Sequence, residues 1–392
     1  MKKIVSVFLA LAMLLCTAAF AEGIAPENIK MGLICIGDEN SGYDVNFIDA
    51  AKKALASLGL SEDQLIIKYN TGDGELAYDA AVDLAESGCN YIFADSFGHE
   101  DYVIQVAAEY PEIQFSHATG FKAAGSGLAN MHNAFASIYE GRYAAGVVAG
   151  MKLNAMIADG TITEDQAKIG YVGAFPFAEV ISGYTSFFLG VRSVCPTATM
   201  AVQYINSWGD FALEKEAAEA LIGTYNCVLI SQHADTTGAP TACEAAGVPC
   251  VGYNISMIPT APTTALVSSR IDWSAYIAYA IQSIIDGQNF DTDWSQGFAE
   301  GAVALTELNE AAIAEGTEQA VADVEAKLIS GELQVFDTST FTIGGLTPEE
   351  FAETEAGAPY AEHIYDGAFH ESDTQSAPYF DIIIDGIEEL ST

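Results

Sequence analysis

The sequence predicts an α/β protein built as two lobes, each a parallel sheet flanked by helices. Three observations carry that reading. Short apolar runs alternate with segments of helical period, as crossover-connected parallel strands require. The alternation restarts near residue 168 after a polar interruption. The chain has 392 residues, half of them apolar, which leaves room for two domains of roughly 100 to 200 residues.

The first set of expected strands covers residues 29–36, 65–69, 91–94 and 113–116, with helices at 45–58, 76–87 and 102–109 between them. The second set covers 168–172, 200–205, 227–231 and 250–253, with helices at 179–193, 211–222 and 241–246. Residues 85–98 and 221–235 repeat one order: helix end, cysteine, apolar strand, polar loop. An internal duplication accounts for that echo. The polar stretch 154–167 is the expected first connection between lobes, and 256–264, with Pro259 and Pro262, the second. A helix over 273–286 then returns to the first lobe. The expected domains are therefore 24–153 with about 265–290, and 154–264 with about 291–343. Residues 309–330 read as an exposed acidic helix, and 344–392 as an irregular acidic tail packed on a lobe, with a strand at 380–384.

Charge narrows the partners. Fourteen Lys and Arg face 54 Asp and Glu, for a net charge of −40, and residues 271–392 hold 25 acids and one base, Lys327. Such a surface repels phosphates, so nucleic acid and anionic membrane faces are excluded as partners. It also disfavours a strongly anionic ligand.

Met1-Lys2-Lys3, the apolar run 4–15 and Ala19-Phe20-Ala21 have the three parts of a cleavable export signal over residues 1–21. The run is too short to span a bilayer. Cys16 offers an alternative lipoprotein anchor, but Leu15 stands before it where such processing prefers a small residue. The expected location is outside the cytoplasmic membrane. Of the remaining cysteines, Cys35, Cys227 and Cys250 sit in apolar runs and read as free buried thiols; Cys243 with Cys250 is the pair to test for a bridge.

Catalytic strings are lacking: no G-x-S-x-G, H-E-x-x-H or P-loop occurs, and the six histidines form no ligand pair at helical spacing. No metal or cofactor is expected. Gly72-Asp73-Gly74-Glu75-Leu76-Ala77 matches a dinucleotide fingerprint in spacing alone, because Asp73 and Glu75 would set carboxylates against a pyrophosphate.

Open parallel sheets bind ligands beyond the carboxyl ends of their strands. The residues expected there are Tyr43 and Asp44, then Phe97, then Phe175 and Glu179, then Trp208 and Asp210, then Asp235, and last Asn254. Phe177 reads as core. Helix capping competes for Asp210, Asp235 and Glu179. Aromatic faces beside carboxylates and amides suit a flat, neutral, donor-rich solute held between the lobes. Stacking contributes roughly 1–3 kcal/mol per base face. A sugar also satisfies rings and acceptors, and a nucleoside hydrolase using Asp44, Asp210 or Asp235 is the enzymatic alternative.

At these positions the sequence resembles the basic membrane protein family, substrate-binding components of ABC importers similar to purine nucleoside receptors. The strings are Ser96-Phe97-Gly98, His117-Ala118-Thr119-Gly120-Phe121-Lys122, Tyr139-Glu140-Gly141-Arg142-Tyr143, Phe175-Pro176 with Glu179-Val180, Asn206-Ser207-Trp208 with Asp210, and His233 with Asp235. The resemblance implies a periplasmic-binding fold of type I, a purine base or nucleoside as ligand, a membrane permease as partner, and a monomer without catalysis. It places a stacking ring on Tyr43, where relatives carry Trp or Phe. Asp44 replaces an Asn, Ala178 a Pro, and Asn254 an Asp that holds ribose in several relatives, which favours a bare base. A ligand sensor without a permease is the remaining alternative.

Overall fold

The computed structural model describes residues 23–390. The expected export signal and Cys16 lie outside the described residues. In chain order the first half forms β1 (Met31–Ile34), α1 (Gly42–Ser57), β2 (Leu65–Lys68), α2 (Glu75–Glu86), β3 (Tyr91–Ala94), α3 (Glu100–Glu109), β4 (Gln114–Ala118), α4 (Ala123–Ser126) and β5 (Met131–Ala134). Then come α5 (Ile138–Ala158), β6 (Lys168–Gly173), α6 (Ala178–Val194), β7 (Thr199–Tyr204), α7 (Phe211–Gly223), β8 (Leu229–His233), α8 (Gly238–Ala246), β9 (Cys250–Tyr253) and β10 (Ala265–Ile271). The last part holds α9 (Ser274–Asp286), β11 (Asp293–Trp294), β12 (Val303–Leu305), α10 (Thr317–Ser330), α11 (Pro348–Ala352), β13 (Ile364–Tyr365), β14 (Ala368–Phe369) and β15 (Ile387–Glu389).

Two compact units result. The first comprises the described residues up to Asn40, Phe47–Ala134 and Trp273–Trp294. Its sheet runs β11-β5-β4-β3-β1-β2, with every pairing parallel. The core strands β1 and β3 are buried along their length, so both faces read as apolar.

The second unit comprises Ser41–Asn46, Phe135–Asp272 and the described residues from Ser295. Its sheet runs β12-β10-β9-β8-β6-β7-β15, parallel except for β12 against β10. Strands β1 to β5 and β6 to β10 thus take the same order in their two sheets. In each, that order reverses beside the first strand of the set: between β1 and β3, and between β6 and β8. Ligands of open α/β sheets lie at the carboxyl ends around such reversals.

The boundaries differ from those expected. Residues 135–153 and 265–272, assigned to the first lobe on sequence, belong to the second unit. Close helix packing is one reason. A side chain on Gly146 would bring its Cβ to 2.1 Å from the Phe187 carbonyl oxygen, and one on Gly190 to 2.1 Å from that of Tyr143. Only glycine at these two positions lets α5 lie backbone to backbone on α6. The other reason is that β10 pairs with β9 and so extends the second sheet.

The tail also differs. The strand expected at 380–384 is irregular backbone, yet Phe380, Ile382 and Ile384 are buried in the second core. Phe380 stacks on Phe336 at 4.6 Å and 11°. The tail's strand comes later, where β15 aligns Ile387 with Met200 of β7. Glu389 then accepts hydrogen bonds from the hydroxyls of Tyr184 and Tyr204. The 344–390 segment is therefore an integral layer of the second unit. Among the described residues, Cys35, Cys89, Cys195, Cys227, Cys243 and Cys250 form no disulfide and are buried.

Candidate functional site

The carboxyl ends of β6, β7, β8 and β9 gather the chemistry of the second unit. Backbone hydrogen bonds stitch these ends together: Ile205 N–H to the Gly173 carbonyl (3.0 Å), Ala174 N–H to His233 (3.1 Å), and Asp235 N–H to Trp208 (2.8 Å). Each loop is thereby fixed by its neighbour. Asn206 and Asn254 take positive φ, 54° and 64°, a conformation Asn tolerates better than most residues.

An aromatic cluster sits on this frame. Phe175 and Phe177 stack at 5.2 Å and 12°, and both approach Trp208, at 5.4 and 6.2 Å between centroids. Trp208 adjoins His233 at 6.3 Å, and His233 adjoins Tyr253 at 4.8 Å. Burial grades along the series, from Tyr253 and His233 at 5% and 1% exposure to Phe177 at 42%. Phe177, read as core from sequence, is thus an exposed ring at the rim. Its neighbour Phe175 is half-buried.

Acceptors line the same loops. Glu179, in the first turn of α6, has Oε1 at 3.3 Å from Nε2 of His233. Burial lifts its carboxyl to about 7, against the pull of the Arg142 guanidinium. The same burial, aided by Arg142, holds His233 well below the usual imidazole range, so the ring is neutral. Asp235 accepts a hydrogen bond from Nδ2 of Asn254 at 3.0 Å. Burial raises Asp235 well above the usual carboxylate range, and the charges of Glu214, Glu179 and Asp44 add to the rise. Asn254 is itself held by its N–H to the Ser269 carbonyl and by Asn46, whose amide donates to the Asn254 carbonyl at 3.1 Å.

The remaining expected residues take different positions. Tyr43 and Asp44, read as a loop after the first strand, lie in the first turn of α1, where Asp44 is 1% exposed. Asp210 caps α7: its Oδ1 accepts from the N–H groups of Ala212 and Leu213, both at 3.0 Å. Phe97 belongs to the first unit, in a 3-10 turn over Phe97–His99, 43% exposed and 6.5 Å from Phe121.

The expected ligand set left out Phe177 and Tyr253, and Arg142 entered the sequence reading only as part of the family string 139–143, with no role. Arg142 is 1% exposed, with its guanidinium 3.6 Å from the centroid of Tyr253. A base inside the apolar 138–158 segment of so acidic a chain was the available signal.

Similar proteins agree with this picture. Residues 38–339 match the Bmp family, described as ABC transporter substrate-binding protein PnrA-like. A purine-binding protein of Brucella abortus is 32% identical over 313 residues, 80% of this chain and 84% of the relative. A putative ABC transporter glucose-binding protein of Haloferax volcanii is 34% identical over 257 residues, 66% of this chain and 61% of the relative. A solved ABC transporter solute-binding protein of Conexibacter woesei shares the fold, with a TM-score of 0.64 at 20% identity, covering 78% of this chain and 98% of that one. Among the described residues, no helix is long and apolar enough to cross a membrane. With the family match spanning most of its length, this chain belongs to the Bmp family of ABC transporter substrate-binding proteins.

Proposed function

We propose that this protein captures a neutral purine base or nucleoside outside the cytoplasm and delivers it to an ABC permease, without catalysis and as a monomer. The observation that carries the reading is the graded ring cluster Phe175, Phe177 and Trp208 with Glu179 and Asp235 at the strand ends beside the β6/β8 reversal. Ring faces suit a planar heterocycle, and the two carboxyl groups suit its N–H edge. Two stacked faces and three or four hydrogen bonds amount to about 8 kcal/mol, micromolar binding. Tyr43, Asp44, Asp210 and Asn254 in the second unit, and Phe97 in the first, complete the set of proposed ligand residues. Residues 1–21 serve as the export signal in this reading, with Cys16 lipidation as the alternative. The purine-binding name of the Brucella relative supports the ligand class.

The test is a thermal-shift panel of adenine, guanine, hypoxanthine, adenosine, guanosine and inosine. A purine that raises the midpoint supports the reading. The glucose-binding name of the Haloferax relative favours a second one, a sugar ligand for the same rings and acceptors. Glucose and ribose in the same panel separate the two.

A further inference from the structure

The sequence reading gave Arg142 no role, yet it is buried beside Tyr253 in the candidate site. It is the largest fully buried side chain of the protein. One face lies on Tyr253, and Nη1 donates to the Gln232 carbonyl at 2.8 Å. Its Nε and Nη2 find no hydrogen-bond partner, and neither does Nδ1 of His233. Two of these orphaned atoms, Arg142 Nε and His233 Nδ1, border one spot. A Cβ built on Gly183 would lie 2.7 Å from His233 Nδ1 and 3.6 Å from Arg142 Nε. Only glycine at 183 fits beside His233 Nδ1, and Arg142 Nε borders the same position.

A proton on Nδ1 would set an N–H beside a cation whose own unpaired groups are all donors. Nδ1 therefore keeps its lone pair towards the guanidinium, and the single ring proton goes to Nε2, 3.3 Å from Glu179 Oε1. That hydrogen bond engages one carboxylate oxygen and orients the other. We propose that Arg142 is a positioning residue for ligand recognition: through His233 it fixes the Nε2–H tautomer that holds Glu179 as an oriented acceptor for a donor-bearing ligand edge. At 1% exposure it does not itself reach the ligand. Among the described residues, the other ionisable groups around this cluster include Tyr253 on β9, Tyr171 on β6, Asp44 on α1 and Glu214 on α7, none of them cationic at neutral pH. Arg142 is accordingly the local cation that sets the direction of the His233 proton. The consequence for ligand choice rests on the purine reading above; the tautomer does not.

The test has two arms. On ligand-free protein with 15N-labelled histidine, NMR of His233 is expected to show a neutral ring protonated at Nε2 and bare at Nδ1 from pH 5 to pH 8. A proton on Nδ1 in the unmodified protein overturns the proposal, whether or not any variant folds. In Arg142→Met the ring is expected to take up a second proton or shift its proton to Nδ1 at pH 6, while Arg142→Lys keeps the original signature. An unchanged His233 spectrum in folded Arg142→Met also overturns it. The second arm is calorimetry with hypoxanthine and adenine, in which Arg142→Met is expected to weaken binding at least 10-fold and Arg142→Lys less. Equal affinity in a Met variant with an altered tautomer overturns the role in recognition. Failure of the unmodified protein to bind any purine of the thermal-shift panel overturns the purine reading, leaving the tautomer result intact.

Discussion

Replacing Glu371 with Gln should remove a large part of the protein's loss of stability between pH 5 and pH 8. Glu371 is carried by the tail and is 3% exposed, and its Oε2 accepts no hydrogen bond. Burial pushes its carboxyl up to about 8, with Ser182 and the Phe380 N–H only partly offsetting the rise. In the unfolded chain the group titrates near its ordinary 4.5. Between those values the folded state holds the extra proton, so stability falls as pH rises through the window and levels off above it. At about 1.4 kcal/mol per pH unit, the wild type loses about 3–4 kcal/mol between pH 5 and pH 8 through this residue. Gln mimics the protonated acid and loses nothing. Glu179 and Glu214, both raised to about 7, drift the same way in both proteins and cancel in the difference. Urea denaturation of both proteins at pH 5, 6, 7 and 8 measures it. The Gln variant should gain on the wild type by several kcal/mol across the series. Parallel pH profiles would refute the burial argument and the tail's place in the second core.

Trp208→Ala should weaken purine binding by roughly 5- to 150-fold, the equivalent of about 1–3 kcal/mol of stacking, as read by titration calorimetry. Asp210→Ala should cost about 1 kcal/mol of stability in denaturation through loss of the α7 cap and should also weaken purine binding; unchanged affinity would leave Asp210 as a cap alone. Gly190→Ala should destabilise by about 1–3 kcal/mol or more, since its Cβ would meet backbone that cannot turn aside. A neutral effect on the melting temperature would contradict the close helix contact.

Most of the repeating frame was legible because its signals are local. The strands at 91–94 and 250–253 coincide with the observed elements, since four apolar residues bounded by polar turns leave little choice. What the sequence hid was non-local. Helix α5 has small and apolar residues on all sides, because α6, β10 and α10 cover it, so no amphipathic stripe announces it. The pairing of β10 with β9 assigns Ala265–Ile271 to the second unit, and no local pattern encodes a strand's partner. Phe380 and Ile382 alternate like a strand yet bury themselves as irregular chain, because Phe336 and Phe341 meet them there. In the candidate site, residue types at strand ends pointed to Trp208, Glu179 and Asp235, which lie together at one end of the second sheet. Arg142 escaped because its relevance depends on Gly183 and Tyr253, far away in the chain. Tyr43 and Asp44 were misplaced by one element, since the helix begins at Gly42, three residues before the apolar periodicity does.

The central claim, that ring faces and raised carboxyl groups of the second unit hold a neutral purine, is tested most directly by calorimetric titration of the purified protein with hypoxanthine, adenine, inosine and adenosine beside glucose. The account predicts micromolar or tighter binding of at least one purine, lost in the Trp208→Ala, Glu179→Ala double variant, and no heat with glucose. Glucose binding that the same double variant abolishes, with every purine silent, would contradict it.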